Sequence, residues 1–301
     1  MTQTPRADIG VIGGSGFYSF LDGVEHVTVE TPFGEPSDAV AVGDLDGRRV
    51  AFLARHGQGH RFPPHRVNYR ANLWALRSLG VRQVLAPCAV GSLRPELGPG
   101  TLVVPDQVVD RTWGREHTVY DGATMPTAGS LRTASEEEPE QGASNAVGPV
   151  VHVAFADPYC PRGRETVLTA AASNGGSEPV DGGTLVVVNG PRFSSRAESQ
   201  WHQAAGWSVV GMTGMPEASI ARELAMCFTC VCLVTDHDAG VEVGEHVTHE
   251  EVLRVFADNI EGLKTVLQQA ISQLPDPESD DEATCACRRS LDGLTLPLEL
   301  P

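Results

Sequence analysis

The chain has 301 residues, a hydrophobic content of 41% and a formal net charge of -17. This length can bury one large core or two small ones, and the acidic balance argues against a nucleic-acid-binding surface because nucleic-acid phosphates would be repelled. Neither a signal-peptide pattern nor a run of about 18 apolar residues occurs, so we expect a cytoplasmic protein without a membrane span.

The predicted elements of the first half are mostly strands. "IGVIGGSGF" is typical of a strand followed by a glycine-rich turn, and "AVAVGDLDGRRVAFLARHG" predicts a hairpin around an Asp-Gly turn. "RVNYRANLWALRSLG" has apolar residues at helical spacing and ends at Gly80, which suits the position after a helix. "VRQVLAPCAVGSL" then predicts a buried strand that leads into a glycine turn, and "TLVVPDQVVDRT" predicts one more strand followed by an exit loop.

The second half begins with a change in composition. Residues 125–149 are rich in Ser, Ala, Glu and Pro without periodicity, which predicts a disordered insertion. "VVHVAFADPYCPRGRETVLTAAAS" predicts a strand, a loop and a helix. After it, predicted strands alternate with predicted helices. The strands lie in "GTLVVVNGPRF", "WSVVGMTGM" and "CVCLVTDHDAG", and the helices in "SRAESQWHQAAG" and "PEASIARELAM". A last helix is expected at residues 249–274, and residues 275–301 are expected to form a flexible acidic tail.

Alternating strands and helices predict one α/β domain, residues 1–274, with a largely parallel or mixed sheet. Ligands of such sheets bind beyond the carboxyl ends of the strands. Polar or chemically distinctive residues follow or end several predicted strands, and we expect them to meet in one site: Ser15, Arg55, His56, Cys88, Ala89, Phe193, Ser194, Met212, Thr213, Asp236 and Asp238.

Part of this set suits an oxyanion. The glycines of "GGSG" allow backbone N–H groups to approach an anion, Ser15 and Thr213 offer hydroxyl groups, and Arg55 offers a planar guanidinium. The turn is neither a dinucleotide-binding GxGxxG motif nor a Walker motif with its lysine. Each feature alone is compatible with a purely structural role, whereas together they indicate a phosphate pocket.

Another part suits a nucleobase. Asp236 and Asp238 follow a buried apolar strand, where they either cap a turn or accept hydrogen bonds from a ligand. Phe193 could stack on an aromatic ring. A phosphate pocket beside aromatic and carboxylate groups suggests that phosphate attacks a sugar–base bond.

The chain contains seven cysteines, and without a secretory signal we expect thiols rather than a disulfide framework. Cys227, Cys230 and Cys232 are predicted to be core residues. Cys227-x-x-Cys230 has metal-like spacing but lacks a second pair in the sequence, so no metal site is expected. Cys285 and Cys287 are expected to be solvent-exposed in the tail, with a small redox pair as the alternative.

Several motifs together carry a resemblance to a known family. "GGSGF", "ARHG", "HRVNYRANLWAL", "NGPRFSSRAES", "MTGMPEA" and "VTDHDAG" resemble the purine nucleoside phosphorylase and 5′-methylthioadenosine phosphorylase family, and "GPRFSSRAES" resembles the methylthioadenosine branch. The resemblance implies a single-domain fold on a mixed, barrel-like sheet and a homotrimer or a dimer of trimers. It implies no metal and no organic cofactor, with inorganic phosphate as a co-substrate.

The resemblance also implies residue roles. Phosphate would be held by Ser15, Arg55, His56, Cys88, Ala89 and Thr213, and the nucleoside by Phe193, Met212, Asp236 and Asp238. Asp236 would face N7 of the purine and Asp238 its 6-amino group. The phosphate would then capture C1′ as the purine leaves, and Asp236 would have to carry or share a proton to neutralise the leaving base.

Four positions differ from one branch of the family or from both. The 6-oxopurine branch has Glu and Asn where Ser194 and Asp236 stand, so a 6-aminopurine is expected here. His249 stands where methylthioadenosine enzymes have a small apolar residue, which leaves the 5′ substituent open between methylthio and hydroxyl. Cys88 replaces Thr or Asn beside the phosphate. A 6-oxopurine phosphorylase and an inactive nucleoside-binding module remain as alternatives.

Overall fold

A computed structural model describes residues 5–14, 21–122, 149–175, 177–239, 249–276, 279 and 285–301. Ser15 and all but the last residue of the predicted insertion lie outside these residues. No helix in the described part of the chain is long and apolar enough to cross a bilayer.

The described chain alternates strands and helices. The strands are β1 (Ile9–Gly13), β2 (Asp22–Val27), β3 (Val40–Leu45), β4 (Arg48–Ala54), β5 (Gln83–Ser92), β6 (Leu102–Val104), β7 (Gln107–Arg111), β8 (Val180–Asp181), β9 (Thr184–Val188), β10 (Val209–Gly211) and β11 (Cys227–His237). The helices are α1 (Tyr69–Ser78), α2 (Pro161–Ser173), α3 (Arg196–Ala204), α4 (Gly214–Glu223) and α5 (His249–Gln273).

The strands form one large mixed sheet with flanking helices, which confirms the predicted α/β fold. Its main path runs β2-β3-β4-β1-β5-β10-β9-β7, while β11 pairs with β5 and β6, and β6 with β8. On one edge β5 pairs with β11 along its whole length. On the other edge it pairs with β1 as far as Leu85 and with β10 from Gly91. The sheet therefore opens beside the middle of β5.

Local chemistry explains the first predicted elements. Asp46 and Gly47 both have positive φ, 49° and 80°, which is the geometry of a two-residue hairpin turn, and β3 pairs antiparallel with β4. The side chain of Asn68 caps α1 by accepting from the backbone of Ala71, and Gly80 follows the helix with φ 98°. Both sequence predictions are confirmed.

Strand β11 is the centre of the core. It is buried from Cys227 to Thr235, and its side chains alternate between two hydrophobic clusters. Cys230, Cys232 and Val234 pack in one cluster, and Val231 and Leu233 in the other. Because burial of apolar surface drives folding, this packing fixes the strand and places its polar end at the edge of the sheet.

Two strand predictions were wrong in part. "TLVVPDQVVDRT" forms two strands, β6 and β7, because Pro105 has no N–H for a sheet ladder. Residues 149–160 form no strand, and three of their carbonyl groups accept hydrogen bonds from side chains instead. Arg222 donates to Ala154 O at 3.0 Å, and Gln107 donates to Ala156 O at 3.2 Å.

The expectation that Cys285 and Cys287 are solvent-exposed was wrong. The two side chains are only 5% and 2% exposed and pack against Cys160 and Cys227. Residues 285–301, part of the segment expected to form a tail, consist of turns whose Leu298 and Leu300 contact the main core. Apolar and thiol groups spaced along this acidic segment therefore anchor it to the domain.

Candidate active site

A cavity of about 390 Å³ lies beside the opening in the sheet. The carboxyl ends of β4, β10 and β11 and the middle of β5 surround it, and α5 contributes Val252, Leu253 and Phe256. Its lining includes all predicted site residues whose side chains are described: Arg55, His56, Cys88, Ala89, Phe193, Ser194, Met212, Thr213, Asp236 and Asp238. Ser15 and the side chain of His249 lie outside the described residues.

Arg55 is buried at the inner wall of the cavity. Its Nε lies 2.6 Å from Glu217 Oε1 and its Nη2 lies 3.1 Å from Glu217 Oε2, so the two side chains form a bidentate pair. Nη1 donates to Pro87 O and Nη2 also donates to Ile12 O. The guanidinium is therefore anchored by β1, β5 and α4, and one N–H of Nη1 is unused within the described residues.

This ion pair is fully enclosed, with Arg55 3% and Glu217 0% exposed. Burial alone would lower the pKa of Arg55, but the charge and hydrogen bonds of Glu217 outweigh it and raise that pKa above its ordinary value. Arg55 is thus a fixed cation, and Glu217 leaves it with little net charge to offer an anion.

His56 is neutral at ordinary pH. Its Nδ1 lies 2.8 Å from the carbonyl oxygen of Phe62, so Nδ1 carries the hydrogen and donates. Burial, with a further contribution from Arg55, lowers the pKa of His56 to about 4. The ring stacks on His60 at 4.1 Å between centroids. Nε2 is consequently an acceptor, suited to the P–OH of a hydrogen phosphate.

Strand β5 offers a backbone donor to the cavity. Pro87 O points away from β11, towards Arg55, and backbone groups two residues apart on a strand face the same side. The N–H of Ala89 therefore faces the opening between β1 and β10, where no described strand pairs with it. Ala89 also lines the cavity and is the most exposed residue of β5.

Thr213 and Cys88 complete this end of the cavity. Thr213 precedes α4, but its side chain makes no capping hydrogen bond, so its hydroxyl is available to a ligand. Cys88 lies with its Sγ 3.7 Å from both Cys230 Sγ and Cys232 Sγ. A thiol is a weak donor, and here it is surrounded by other thiols, so it contributes little hydrogen bonding.

Asp236 and Asp238 lie at the other end of the cavity. The pairing of β11 with β5 shifts between Val234 and Asp236, and such a bulge redirects the side chains that follow. Asp236 Oδ2 lies 2.8 Å from Thr235 Oγ1, which is also 3.2 Å from Val90 O. The Thr235 hydroxyl thus donates to Asp236, its nearer acceptor, and holds this carboxyl group in place at the end of β11.

Asp238 is held from two sides. Its backbone N–H donates to Ser92 O at 2.9 Å, and Ser199 Oγ on α3 donates to its Oδ2. Gly91 lies next to both aspartates, because a Cβ at this position would stand 3.0 Å from Asp236 Oδ1 and 3.3 Å from Asp238 Cβ. The glycine thus makes room for both carboxylates.

The loop carrying Met212 is fastened by Arg115. Its Nη2 donates to Met212 O at 2.9 Å, and its Nη1 donates to Met215 O at 2.6 Å. Gly190 has φ 63°, and a Cβ there would stand 2.6 Å from Met212 Sδ, so glycine allows the close approach of the two loops. This arrangement sets the position of Phe193 and Ser194, which follow Gly190.

Sequence reasoning missed the buried partners of the predicted residues, namely Glu217, Ser199 and Arg115. Glu217 and Ser199 stand inside the quoted motifs "MTGMPEA" and "NGPRFSSRAES", which was the available signal. A buried arginine requires an acid, but the sequence does not say which one. Arg115 lies in the loop after β7, in "TWGREHT", and no local sequence pattern there indicates that it is buried.

Comparisons with known proteins agree with this geometry. The profile of the phosphorylase superfamily matches residues 8–272. The chain is 58% identical over 301 residues to a purine nucleoside phosphorylase of Streptomyces coelicolor, covering 100% of both chains. It is 49% identical over 294 residues to an S-methyl-5′-thioadenosine phosphorylase of Mycolicibacterium smegmatis, covering 97% of this chain and 99% of that one. A crystal structure of a methylthioadenosine phosphorylase from an Antarctic soil metagenomic library superposes with a TM-score of 0.82 at 35% identity, covering 97% of this chain and 93% of the other.

Proposed function

The chain belongs to the phosphorylase superfamily, as a purine nucleoside or methylthioadenosine phosphorylase, and we propose that its substrates are 6-aminopurine nucleosides. The reaction class is phosphate-dependent cleavage of the N-glycosidic bond, a pentosyl transfer. The observation that carries the proposal is the placement of Asp236 and Asp238 in the same cavity as Arg55 and Thr213.

Phosphate binds at the end of the cavity formed by β4, β5 and the start of α4. The donors there are the unused N–H of Arg55, the N–H of Ala89 and the hydroxyl of Thr213, while His56 Nε2 accepts from a P–OH group. Arg55 is largely neutralised by Glu217, so binding depends on directed hydrogen bonds more than on net charge. Ser15 is expected to add a hydroxyl, by resemblance.

The nucleoside spans the rest of the cavity. Met212 lies under the ribose, Phe193 lies against the base, Asp236 faces N7 and Asp238 faces the 6-amino group. Ser199 orients Asp238 so that one carboxylate oxygen remains for the ligand. A carboxylate accepts from an amino group but would repel the oxygen of a 6-oxopurine, and Ser194 adds no acid to reverse that preference.

Bond cleavage develops positive charge on the sugar and negative charge on the purine. The bound phosphate stabilises the oxocarbenium-like sugar and then captures C1′. Asp236 shares a proton with N7 as the C1′–N9 bond breaks, and the hydrogen bond from the Thr235 hydroxyl to its Oδ2 orients the carboxyl group. The products are the free base and an α-ribose-1-phosphate or its 5-methylthio derivative.

The 5′ substituent is the open part of the specificity. Val252, Leu253 and Phe256 of α5 line the cavity with apolar groups, which suits a thioether. His249, at the start of the same helix, would suit a hydroxyl by resemblance. The 58% identical purine nucleoside phosphorylase has no base specificity in its name, so a 6-oxopurine enzyme is the second candidate.

One assay tests the proposal. The purified chain is incubated with methylthioadenosine, adenosine, inosine or methylthioinosine, with and without phosphate, and the released base is measured by chromatography. We expect phosphate-dependent adenine release from at least one 6-amino substrate and much slower release of hypoxanthine. Faster turnover of inosine would favour the second candidate, and no release of adenine would refute the first.

We also propose that the chain works as a homotrimer or a dimer of trimers. In the single chain Trp113 and Val150 are each 75% exposed, and Leu253 at the cavity mouth is 53% exposed, as expected of apolar groups covered by another subunit. Light scattering coupled to size exclusion should give three or six times the 32.0 kDa chain mass. A monomer would contradict this assembly.

A further inference from the structure

Outside the cavity, four cysteines from three separate parts of the sequence come together. Cys160 precedes α2, Cys227 begins β11, and Cys285 and Cys287 lie in the C-terminal turns. Their sulfur atoms all lie within 4.8 Å of one another, and all four side chains are buried. We propose that these four thiolates bind one zinc ion in a closed, structural site.

The distances between the sulfurs suit tetrahedral coordination. Cys160 Sγ lies 3.8 Å from Cys285 Sγ, and Cys227 Sγ lies 3.6 Å from Cys285 Sγ. Zinc–sulfur bonds of about 2.3 Å in a tetrahedron place neighbouring sulfurs about 3.8 Å apart. None of the four cysteines is bridged to another, since each is a free thiol. Four protein ligands fill a zinc coordination sphere, so this site has no open position for catalysis.

Positive charge lies close to the four sulfur atoms. Arg222 is buried, and its Nη2 lies 3.7 Å from Cys287 Sγ, so a guanidinium partly balances the negative charge of a tetrathiolate. Cys160 stands at the N-cap of a 13-residue helix without making a capping bond, and the helix dipole there stabilises a thiolate.

The other group of thiols differs in a way that provides a control. Cys88, Cys230 and Cys232 also lie in mutual contact, but they number three, and Cys88 lines the cavity.

The four-cysteine site joins the start of β11, α2 and residues 285–301. Ser290 Oγ donates to Arg222 O at 2.7 Å in the same region. The metal therefore fastens the C-terminal segment to the strand whose other end carries Asp236. This departs from the sequence expectation that the protein holds no metal.

Metal analysis of the full chain, purified without chelators and with any tag removed, tests this inference. We expect about one zinc per chain in the wild-type protein, as for a closed structural site. The double variant Cys285→Ser/Cys287→Ser should lose it, while the matched double variant Cys230→Ala/Cys232→Ala should retain it. Wild-type protein without zinc, or with iron in its place, would overturn the proposal, as would zinc lost only from the control variant.

Two further measurements keep the test decisive if the serine variant fails to fold. Cobalt exchanged into the wild-type chain should give the intense visible bands of a tetrahedral thiolate complex, and their absence would count against the site. Removal of zinc should make the C-terminal segment cleave faster under limited proteolysis, with the fragments identified by mass. Disulfides among the four cysteines in freshly isolated protein, found by mass spectrometry without reduction, would refute metal binding.

Discussion

Arg55 and Glu217 form a fully buried, bidentate ion pair, with Arg55 Nε 2.6 Å from Glu217 Oε1. The pair joins β4 to α4 at the base of the cavity and holds the guanidinium against the carbonyl oxygens of Ile12 and Pro87. A buried charge without its partner costs far more than a surface charge, because neither water nor another ion replaces the lost partner. The stability of the domain should therefore depend on this acid.

Glu217→Gln should lower the free energy of unfolding by about 3–5 kcal/mol, since it leaves Arg55 buried without a counter-charge. Urea unfolding followed by fluorescence measures the change. The control is Asp44→Asn, which breaks an exposed pair with Arg49 at 3.1 Å and should cost about 1 kcal/mol or less. Equal effects of the two substitutions would show that Glu217 does not compensate Arg55.

Asp236→Asn should lower kcat/KM for adenine nucleosides by about 10²–10⁴-fold, the usual contribution of a group that transfers a proton. An amide cannot protonate N7, but its N–H can donate to a 6-oxo group, so the ratio of inosine to adenosine turnover should rise. Steady-state kinetics with both nucleosides measures this. Asp46→Asn, the same change in the β3–β4 turn, serves as control. If the ratio of inosine to adenosine turnover did not change, Asp236 would not take part in recognition of the base.

Ser199→Ala should weaken the nucleoside site through Asp238, which Ser199 holds by a hydrogen bond from its hydroxyl. Loss of a hydrogen bond to a charged group is worth about 1.5–3 kcal/mol, or roughly 10–150-fold in kcat/KM for the nucleoside. Because Ser199 does not line the phosphate end, KM for phosphate should stay as in the wild type. A parallel loss for both substrates would indicate general damage to α3 instead. Ser173→Ala, at the exposed end of α2, is the matched control.

The composition of the site was predictable because its residues end strands. Arg55, Thr213, Asp236 and Asp238 follow apolar runs, and the carboxyl ends of strands in such sheets gather at one edge. The residues that hold them were not predictable in the same way. Ser199 and Glu217 lie on helices whose rotation against the sheet decides which of several polar residues turns inward, and that packing is a tertiary property.

The C-terminal cysteines show the same limit more sharply. Cys285 and Cys287 stand among acidic and polar residues, so local composition predicts exposure. Their burial depends on Cys160 and Cys227, which are distant in sequence. Spacing within a segment reveals two ligands at most, whereas the full set of four requires the fold.

His56 should make the stability of the fold depend on pH. Its pKa falls from an ordinary 6.5 to about 4 on folding, so the folded state resists the proton that the unfolded state takes up. The contribution is complete above pH 6.5 and is lost as the pH falls from 6.5 to about 4, by at most about 3 kcal/mol. The variant His56→Asn keeps a donor for Phe62 O but does not titrate in this range. The difference in free energy of unfolding between the wild type and this variant should therefore become smaller as the pH falls.

Urea unfolding at several values between pH 4 and pH 7.5 measures this gap. His26→Gln, which removes an exposed histidine from β2, is the control and should follow the wild-type curve. A gap between wild type and His56→Asn that stays constant over the whole range would mean that the buried ring is not the source of the pH dependence.

Cys88→Thr should strengthen phosphate binding. The Cys88 thiol faces the cavity beside Ala89, and its sulfur already contacts two other thiols at 3.7 Å, so it offers a ligand little. A hydroxyl is a stronger donor, and one net hydrogen bond of about 0.5–1.5 kcal/mol corresponds to a roughly 2–10-fold lower KM for phosphate. The matched Cys88→Ala variant removes the thiol without adding a donor, and its KM should stay close to that of the wild type. Steady-state kinetics at saturating nucleoside separates the two variants. If both raise KM for phosphate, the thiol itself holds the anion, and phosphate binding at this position uses sulfur after all.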